Sequence, residues 1–345
     1  MSAVVAECPK AMTWGPCGGV HPDGRCEAAA HPCVFLSRAL PVAWPVERAL
    51  PRSPDPDPTP AAREVRGILE RRPLVLTAFP APALDRDAVP RLADVLRGRV
   101  DAVLSGDAGR SRVQYPPAYR AHLLSAAGLR PWMGVNARDR TAAAIERELT
   151  SLRDIGVAGV HCVTGDHTRS GDRPDAAPVF DLESTSMIPL ARERGLLVSF
   201  AESPASPPVA LRGARVAEKV AAGGQLCVTQ YAGGAAQMAD FVARCRRAGS
   251  RVPIIAGVPL VVDRAGAELL ASFSGAALPA GFVEGLLAAR DVRAAGIRQA
   301  IAFGQELLGV PGVRGVVVAG GVGPGAEDAY ADDLATVAAE LGGGS

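Results

Sequence analysis

The chain has little that would let it act on a membrane or on a polyanion. Its 37 Lys and Arg residues nearly balance its 36 Asp and Glu residues, leaving a net charge of +1, so it lacks the positive field that nucleic acid binding uses. No stretch approaches about 18 uninterrupted apolar residues, and the first residues lack the apolar run of a secretory signal. We therefore expect no nucleic acid or membrane partner, and a cytoplasmic location.

Cysteine is also scarce, except at one end of the chain. Four of the seven cysteines lie within the stretch "CPKAMTWGPCGGVHPDGRCEAAAHPC". In a reducing cytosol thiols stay free unless a metal holds them, and the glycines and prolines of this stretch would let it fold back on itself. We predict a metal-binding module over residues 1–40, with Cys8, Cys17, Cys26 and Cys33 as ligands. Tetrahedral Zn²⁺ is the first choice, and an iron–sulfur cluster, which uses the same ligands, stays open.

A proline-rich stretch separates this module from the rest. Residues 41–60 contain seven prolines, which forbid a continuous helix or a central strand and favour an extended tether. We place a linker there and a single large domain over residues 61–345.

Short apolar runs alternate with helix-period segments throughout residues 61–345. The apolar runs number eight, at 73–79, 100–106, 131–137, 159–165, 196–202, 225–230, 252–258 and 312–320. This alternation is typical of a parallel sheet wrapped by helices, and eight strands close a barrel. The sequence therefore predicts an α/β fold of the (β/α)8 TIM barrel type, with an open doubly wound sheet as the alternative.

The segments between the runs show the stripes of crossover helices. Ile145, Leu149, Leu152 and Ile155 recur every three or four residues, and Gly156 follows as a helix stop. Similar stripes occupy 88–97, 209–222, 235–248 and 283–308.

Polar residues follow several of the predicted strands, where a barrel of this type forms its active site. They are Asp107, Arg138 with Asp139, Asp166 with His167, Glu202, and Gln230. Asp166 begins a long loop without helical period, which is typical of a binding surface. The amide of Gln230 suits the edge of a heteroaromatic ring such as a pterin. The alternative is that these are ordinary polar loop residues and that Gln230 caps its own backbone.

A run of motifs in the large domain resembles the methylenetetrahydrofolate reductase family. The motifs are "RDR" at 138–140, "TGD" at 164–166, "EKVAAGG" at 218–224, "TQ" at 229–230 and "VPIIAGV" at 252–258, and the resemblance covers residues 65–318. The cysteine stretch is similar to a module that accompanies reductases of this family in some bacteria, where it usually follows the barrel or sits on a partner subunit.

The resemblance implies a chemistry and roles for individual residues. It implies reduction of 5,10-methylenetetrahydrofolate to 5-methyltetrahydrofolate with NAD(P)H, by way of FAD, or by direct hydride transfer from the nicotinamide. Asp166 would favour the cationic iminium, Gln230 would bind the pterin, and Lys219 would help to hold the flavin. Further cofactor contacts are expected from Asp107, Arg138, Asp139 and Gly165.

The chain also departs from the family pattern. Phe79 stands where the family carries a glutamate that protonates the folate ring nitrogen, and a phenyl ring cannot transfer a proton. Glu202 and His167 are the candidate substitutes. Because of Phe79, a second function stays open, in which a non-catalytic barrel binds folate or flavin and serves as a subunit or regulator. A homo-oligomer and a partner reductase subunit both stay open as assemblies.

Overall fold

Eight parallel strands close into a barrel. The computed structural model describes residues 7–37, 56–107 and 110–344. The strands are β1 (Leu74–Ala78), β2 (Ala102–Ser105), β3 (Pro131–Asn136), β4 (Gly159–Val163), β5 (Val198–Glu202), β6 (Leu226–Thr229), β7 (Ile254–Val261) and β8 (Val313–Gly321). Each strand pairs with its neighbours in chain order, and β1 pairs with β8 from Leu74 opposite Gly315 onward. The predicted (β/α)8 barrel is confirmed, and every predicted apolar run overlaps one of its strands.

Helices surround the barrel. They are α1 (Pro60–Arg71), α2 (Ala88–Leu96), α3 (Pro117–Ala126), α4 (Ala142–Ile155), α5 (Ser184–Glu193), α6 (Arg212–Ala221), α7 (Ala235–Arg247), α8 (Arg264–Ala271), α9 (Phe282–Leu287), α10 (Val292–Leu308) and α11 (Glu327–Glu340). In α4, Ile145, Leu149 and Leu152 are buried as the stripe predicts, and Gly156 ends the helix in the left-handed conformation.

The single helix predicted over 283–308 is wrong, because the chain breaks it between α9 and α10. Asp291 starts the second piece as an N-cap, its side chain accepting a hydrogen bond from the backbone N–H of Ala294 at 3.0 Å. A capping aspartate in mid-segment is the sequence signal for this break.

The barrel has an inner and an outer apolar layer. The inner layer includes alternate residues of the strands, such as Leu74 and Leu76 of β1, and Ala62 and Val65 of α1 pack against it. Helix α1 therefore covers one end of the barrel. The outer layer joins the opposite faces of the strands to the surrounding helices. Since both layers are packed with apolar side chains, a functional site is expected in the loops at the carboxyl ends of the strands.

Residues 7–37 have little regular structure of their own. Within this range the pairing is limited to the isolated bridges Val20 with Cys26 and Arg25 with Pro32. Met12 and Phe35 form a small buried cluster against Val34 and three of the cysteines. We call residues 7–37 the N-terminal segment. Residues 41–55 of the predicted linker at 41–60 lie outside the described residues.

Among the described residues, none of the helices has the length and apolarity that crossing a membrane would require.

Candidate functional site

Asp166 lies at the open mouth of the barrel, directly after β4. Gly165 positions it: its φ of +89° is a left-handed conformation, and a Cβ there would come within 3.0 Å of Asn136 Cβ. The Asp166 side chain reaches solvent, and within the described residues no group donates a hydrogen bond to its carboxylate. It nevertheless sits in a crowded recess, and the reduced access of water raises its pKa, with the charge of Lys10 opposing the shift. A carboxylate without a hydrogen-bond donor among the described residues is available to a ligand.

A second acidic group at the mouth, Asp107 after β2, is fully engaged by its neighbours. Arg138 Nη1 lies 2.6 Å from Asp107 Oδ2, and the amides of Gln114 and Asn136 donate to Oδ1 at 2.7 and 3.0 Å. Burial works to raise the pKa of Asp107, but the charge and hydrogen bonds of Arg138 outweigh it and lower the pKa. Asp139 lies 3.6 Å from Arg138 Nη2. These residues, predicted to contact a cofactor, form one rim of the mouth.

Glu202 and Lys219 lie in a buried ion-pair network. Glu202 Oε1 accepts from Arg212 Nη1 at 3.0 Å, and Glu202 Oε2 accepts from Lys219 Nζ at 3.0 Å. Lys219 Nζ also donates to the carbonyl of Ala201 at 2.7 Å. Burial works to raise the pKa of Glu202, but the charges of Lys219 and Arg212 outweigh it and lower the pKa. Glu202 is therefore poorly suited to donating a proton. Lys219 binds groups of the protein itself.

The side chains of Gln230 and His167 each accept a hydrogen bond from a nearby backbone N–H. Gln230 Oε1 accepts from the N–H of Tyr231 at 3.0 Å, which is the capping alternative that the sequence left open. His167 Nδ1 accepts from the N–H of Arg169 at 3.2 Å, and its ring lies 5.8 Å from that of Phe180. Burial, followed by the charge of Arg169, lowers the pKa of His167, so its ring is neutral near pH 7.

Phe79 directly follows β1, and its side chain packs against apolar residues. Its half-buried ring packs with Ala81 and Val95 against a small cluster that includes Leu92 of α2 and Ala331 of α11. At this strand end the chain presents no titratable group.

The N-terminal segment is docked on the barrel. Glu183 holds the N-cap position just before α5, yet its side chain does not cap that helix. Instead Oε1 accepts from the N–H groups of Thr13 and Trp14, at 3.0 and 2.7 Å. The indole N–H of Trp14 donates to Ser186 Oγ at 3.0 Å, and the ring is buried in the outer apolar layer. A buried carboxylate is thus committed to holding the segment.

Further anchors come from the loops after β4 and β5. Ser206 Oγ donates to the carbonyl of Gly18 at 2.6 Å, and Arg212 Nη2 donates to that of Cys17 at 3.0 Å. Arg169 Nη1 donates to the carbonyl of Ala28 at 3.0 Å. The segment therefore lies over the carboxyl ends of β4 and β5, beside Asp166.

Sequence reasoning missed these anchors, although one signal was present. Arg212, Arg215 and Lys219 are spaced three and four residues apart, so they share one face of α6, and all three are buried. Cationic side chains on the buried face of a helix need acidic partners that are also buried. Here those partners are Glu183 and Glu202.

The four cysteines of the segment line one cavity of about 20 Å³, together with Lys10 and Glu27. Burial raises the pKa of Cys17 to about 12 and also raises that of Cys8 and Cys33. Within residues 7–37, 56–107 and 110–344, no three His, Cys, Asp or Glu side chains are grouped closely enough to hold a metal ion. The four-thiolate site stays a prediction.

A family model described as methylenetetrahydrofolate reductase matches residues 100–316, more than half of the chain. The chain belongs to the methylenetetrahydrofolate reductase family. A second model, described as methylene-tetrahydrofolate reductase C terminal, matches residues 1–40. In this family member the first match runs from β2 into β8, so it contains Asp107, Asp166 and Gln230.

One solved structure supports the same fold for this methylenetetrahydrofolate reductase family barrel. A protein from Clostridium thermocellum that binds two copies of 5-methyl-5,6,7,8-tetrahydrofolic acid is similar with a TM-score of 0.55 and 14% identity, over 79% of this chain and 99% of that chain. Oxaloacetate acetylhydrolase is similar with a TM-score of 0.44 and 14% identity, over 76% and 81% of the two chains. No curated protein matches the sequence significantly.

Proposed function

We propose that the chain reduces 5,10-methylenetetrahydrofolate to 5-methyltetrahydrofolate with NAD(P)H. The observation that carries this proposal is Asp166, a carboxylate in the mouth of a methylenetetrahydrofolate reductase family barrel without a hydrogen-bond donor among the described residues. The methyltetrahydrofolate bound by the Clostridium thermocellum protein supports a folate ligand for this fold.

The proposed role of Asp166 follows from the charge that develops on the substrate. When the bond from the methylene carbon to N10 breaks, a cationic iminium forms at N5 and N10 takes up a proton. A hydride with its electron pair then passes from the reduced nicotinamide to the methylene carbon, giving the methyl group and NAD(P)⁺. A preorganised carboxylate beside the iminium stabilises the positive charge as it appears.

The proton on N10 needs a source other than the side chains first considered. Phe79 cannot supply it, and the lowered pKa of Glu202 and of His167 makes both poor donors near neutral pH. We infer that water at the open mouth beside Asp166 delivers it. Because a positioned acid contributes about 10²- to 10⁴-fold, we expect slow turnover.

A flavin held through Lys219 does not fit the contacts of this chain. Lys219 Nζ is buried against Glu202 and the carbonyl of Ala201, so the protein already uses two of its three N–H donors and most of its charge. Asp107, Arg138 and Asp139 are tied to one another at the rim. We therefore favour direct transfer from the nicotinamide, and a visible spectrum without flavin bands is the expected result for the purified protein.

The N-terminal segment is proposed to bind one Zn²⁺ through Cys8, Cys17, Cys26 and Cys33. The four cysteines line one small cavity, and four thiolates are the ligand set of a closed structural zinc site. The ion would fix the loops of the segment, and binding would release the thiol protons that burial otherwise retains. Metal analysis after aerobic and anaerobic purification tests this, and several irons with sulfide would contradict it.

A second function is favoured by Phe79, which leaves the usual proton-donor position apolar. In this alternative the barrel binds folate without turnover and serves another enzyme as a subunit. Oxidation of NADH or NADPH that depends on methylenetetrahydrofolate would support the reductase. Folate binding measured by calorimetry, with no turnover by either nicotinamide, would support the alternative instead.

A further inference from the structure

A groove with a cavity volume of about 590 Å³ lies between helix α7 and three loops of the barrel. This volume falls within the range of about 300–1,000 Å³ that is typical of small-molecule sites. The lining of the groove contains none of the mouth residues Asp107, Asp166 and Gln230, so it is a separate site. We call it the α7 groove, and the loops that line it with α7 contain residues 204–209, 232–233 and 277–280.

Hydrogen bonds hold the loops of the α7 groove in place. Ala277 pairs with Ala232 in an isolated parallel bridge, and its N–H donates to the carbonyl of Tyr231 at 3.1 Å. On the other side, Arg212 Nε donates to the carbonyl of Ser206 at 2.7 Å. Because the loops are fixed to one another and to α6, the groove is formed before any ligand binds.

Helix α7 supplies the polar side of the groove. Gln237, Asp240 and Arg244 are spaced three and four residues apart, so they share one face of the helix, and all three line the groove. Within the described chain, Arg244 Nε is buried without a hydrogen-bond partner, and neither Asp240 nor Arg244 forms an ion pair. An acid and a base four residues apart on a helix commonly pair with each other. Here both charges stay available to a ligand.

The loops supply an apolar side that faces these charges. Pro204 and Val209 contribute from the loop after β5, and Leu278 and Pro279 contribute from the loop before α9. Val209 is 38% exposed, which is unusual for a large apolar side chain of this protein. A ligand that covers it would gain from the burial of apolar surface.

We propose that the α7 groove binds a small apolar zwitterion, with its ammonium group on Asp240 and its carboxylate on Arg244. The apolar body of the ligand packs against the loop after β5 and the loop before α9. An apolar amino acid and an apolar dipeptide share this chemistry. This binding is independent of the reductase function, since the groove does not include the barrel mouth.

The spacing of the two charges fits the dipeptide. Asp240 and Arg244 lie about 6 Å apart along the helix axis, at 1.5 Å per residue. An extended chain spans about 3.3–3.6 Å per residue, so the charged ends of a dipeptide are roughly 6–7 Å apart. The two ends therefore reach both side chains at once, and the apolar side chains of the dipeptide turn towards the loops.

Calorimetric titration of the full-length protein tests the proposal with two probes, L-leucine and L-leucyl-L-leucine. Two blocked dipeptides remove one charge each: the N-acetyl form lacks the ammonium group, and the C-terminal amide lacks the carboxylate. The variants are Asp240→Asn and Arg244→Met. The matched control is Arg247→Met, which removes an exposed cation of α7 that does not line the groove. Circular dichroism shows that each variant is folded.

We expect each groove variant to weaken binding of the free dipeptide by about tenfold, since each removes a hydrogen bond to a charged group. Acetylation should weaken binding to the wild type by a similar factor, and Asp240→Asn should then have no further effect. The amide and Arg244→Met should behave in the same way, while Arg247→Met follows the wild type. Tighter binding of leucine would assign the site to a free amino acid. If neither probe bound to the folded protein, or if the blocked dipeptides bound as tightly as the free one, the proposal would be overturned.

Discussion

The attachment of the N-terminal segment makes a quantitative prediction for Glu183→Ala. Glu183 is 3% exposed and accepts two backbone hydrogen bonds from the segment, while its second oxygen lies 3.5 Å from Arg215 Nη2. Hydrogen bonds to a buried charge contribute about 1.5–3 kcal/mol each, and breaking a buried ion pair costs about 3–5 kcal/mol. Because Arg215 keeps Glu218 as a partner, we expect a loss of about 3–5 kcal/mol in the free energy that holds the segment to the barrel.

Hydrogen exchange followed by mass spectrometry measures this loss directly. The amides of residues 7–37 should exchange about 10²- to 10⁴-fold faster in Glu183→Ala, while those of β1 to β8 keep the wild-type rates. Glu64→Gln is the matched control, since it removes the charge of an exposed pair with Arg130 and should change the stability by less than about 1 kcal/mol. Wild-type exchange in the segment of Glu183→Ala would refute the reasoning, because the segment would then be held by other contacts.

Three further outcomes are expected. Asp166→Asn should abolish folate-dependent NADH oxidation without unfolding the protein. The control is Asp175→Asn, in the same loop but exposed and paired with Arg173, which should retain the activity. If the two variants were equally active, Asp166 would have no part in the mechanism. Phe79→Glu should cost about 1–3 kcal/mol of stability in urea unfolding, since it places a carboxylate in an apolar cluster. It should not raise kcat, because that carboxylate packs in the cluster and does not reach the folate, and a faster Phe79→Glu enzyme would contradict this. Phe79→Leu should cost less than about 1.5 kcal/mol. Cys17→Ser should lower the bound metal measured by mass spectrometry, and full occupancy would exclude Cys17 as a ligand.

The sequence was sufficient for the barrel because its signals are local. Each strand is a short apolar run, and several crossover helices carry their own stripes, as α4 does. The position of Asp166 was also predictable, since it follows a buried strand and the residues after barrel strands lie at the mouth. These features depend on residues within a few positions of one another.

The surroundings of the site were not predictable, because they depend on distant pairs. Lys219 was expected to hold a flavin, and only the fold brings Glu202 and Arg212 to it. Gln230 stays a predicted pterin contact, and only the structure shows that its amide oxygen accepts a hydrogen bond from the N–H of Tyr231. Glu183 gave no sign in the sequence that it would hold residues from far earlier in the chain.

The separation between the docked segment and its anchors has a consequence for protein synthesis. The bond from Trp14 to Glu183 spans 169 residues, and the contact from Glu27 to Ser274 spans 247. At about 5–20 residues per second, a nascent chain carries this segment for roughly 10–50 s before the last of these anchors leaves the ribosome. During that interval four thiols are exposed to oxidants and to competing metals. Translation speed and metal supply during expression should therefore affect the yield of correctly assembled protein.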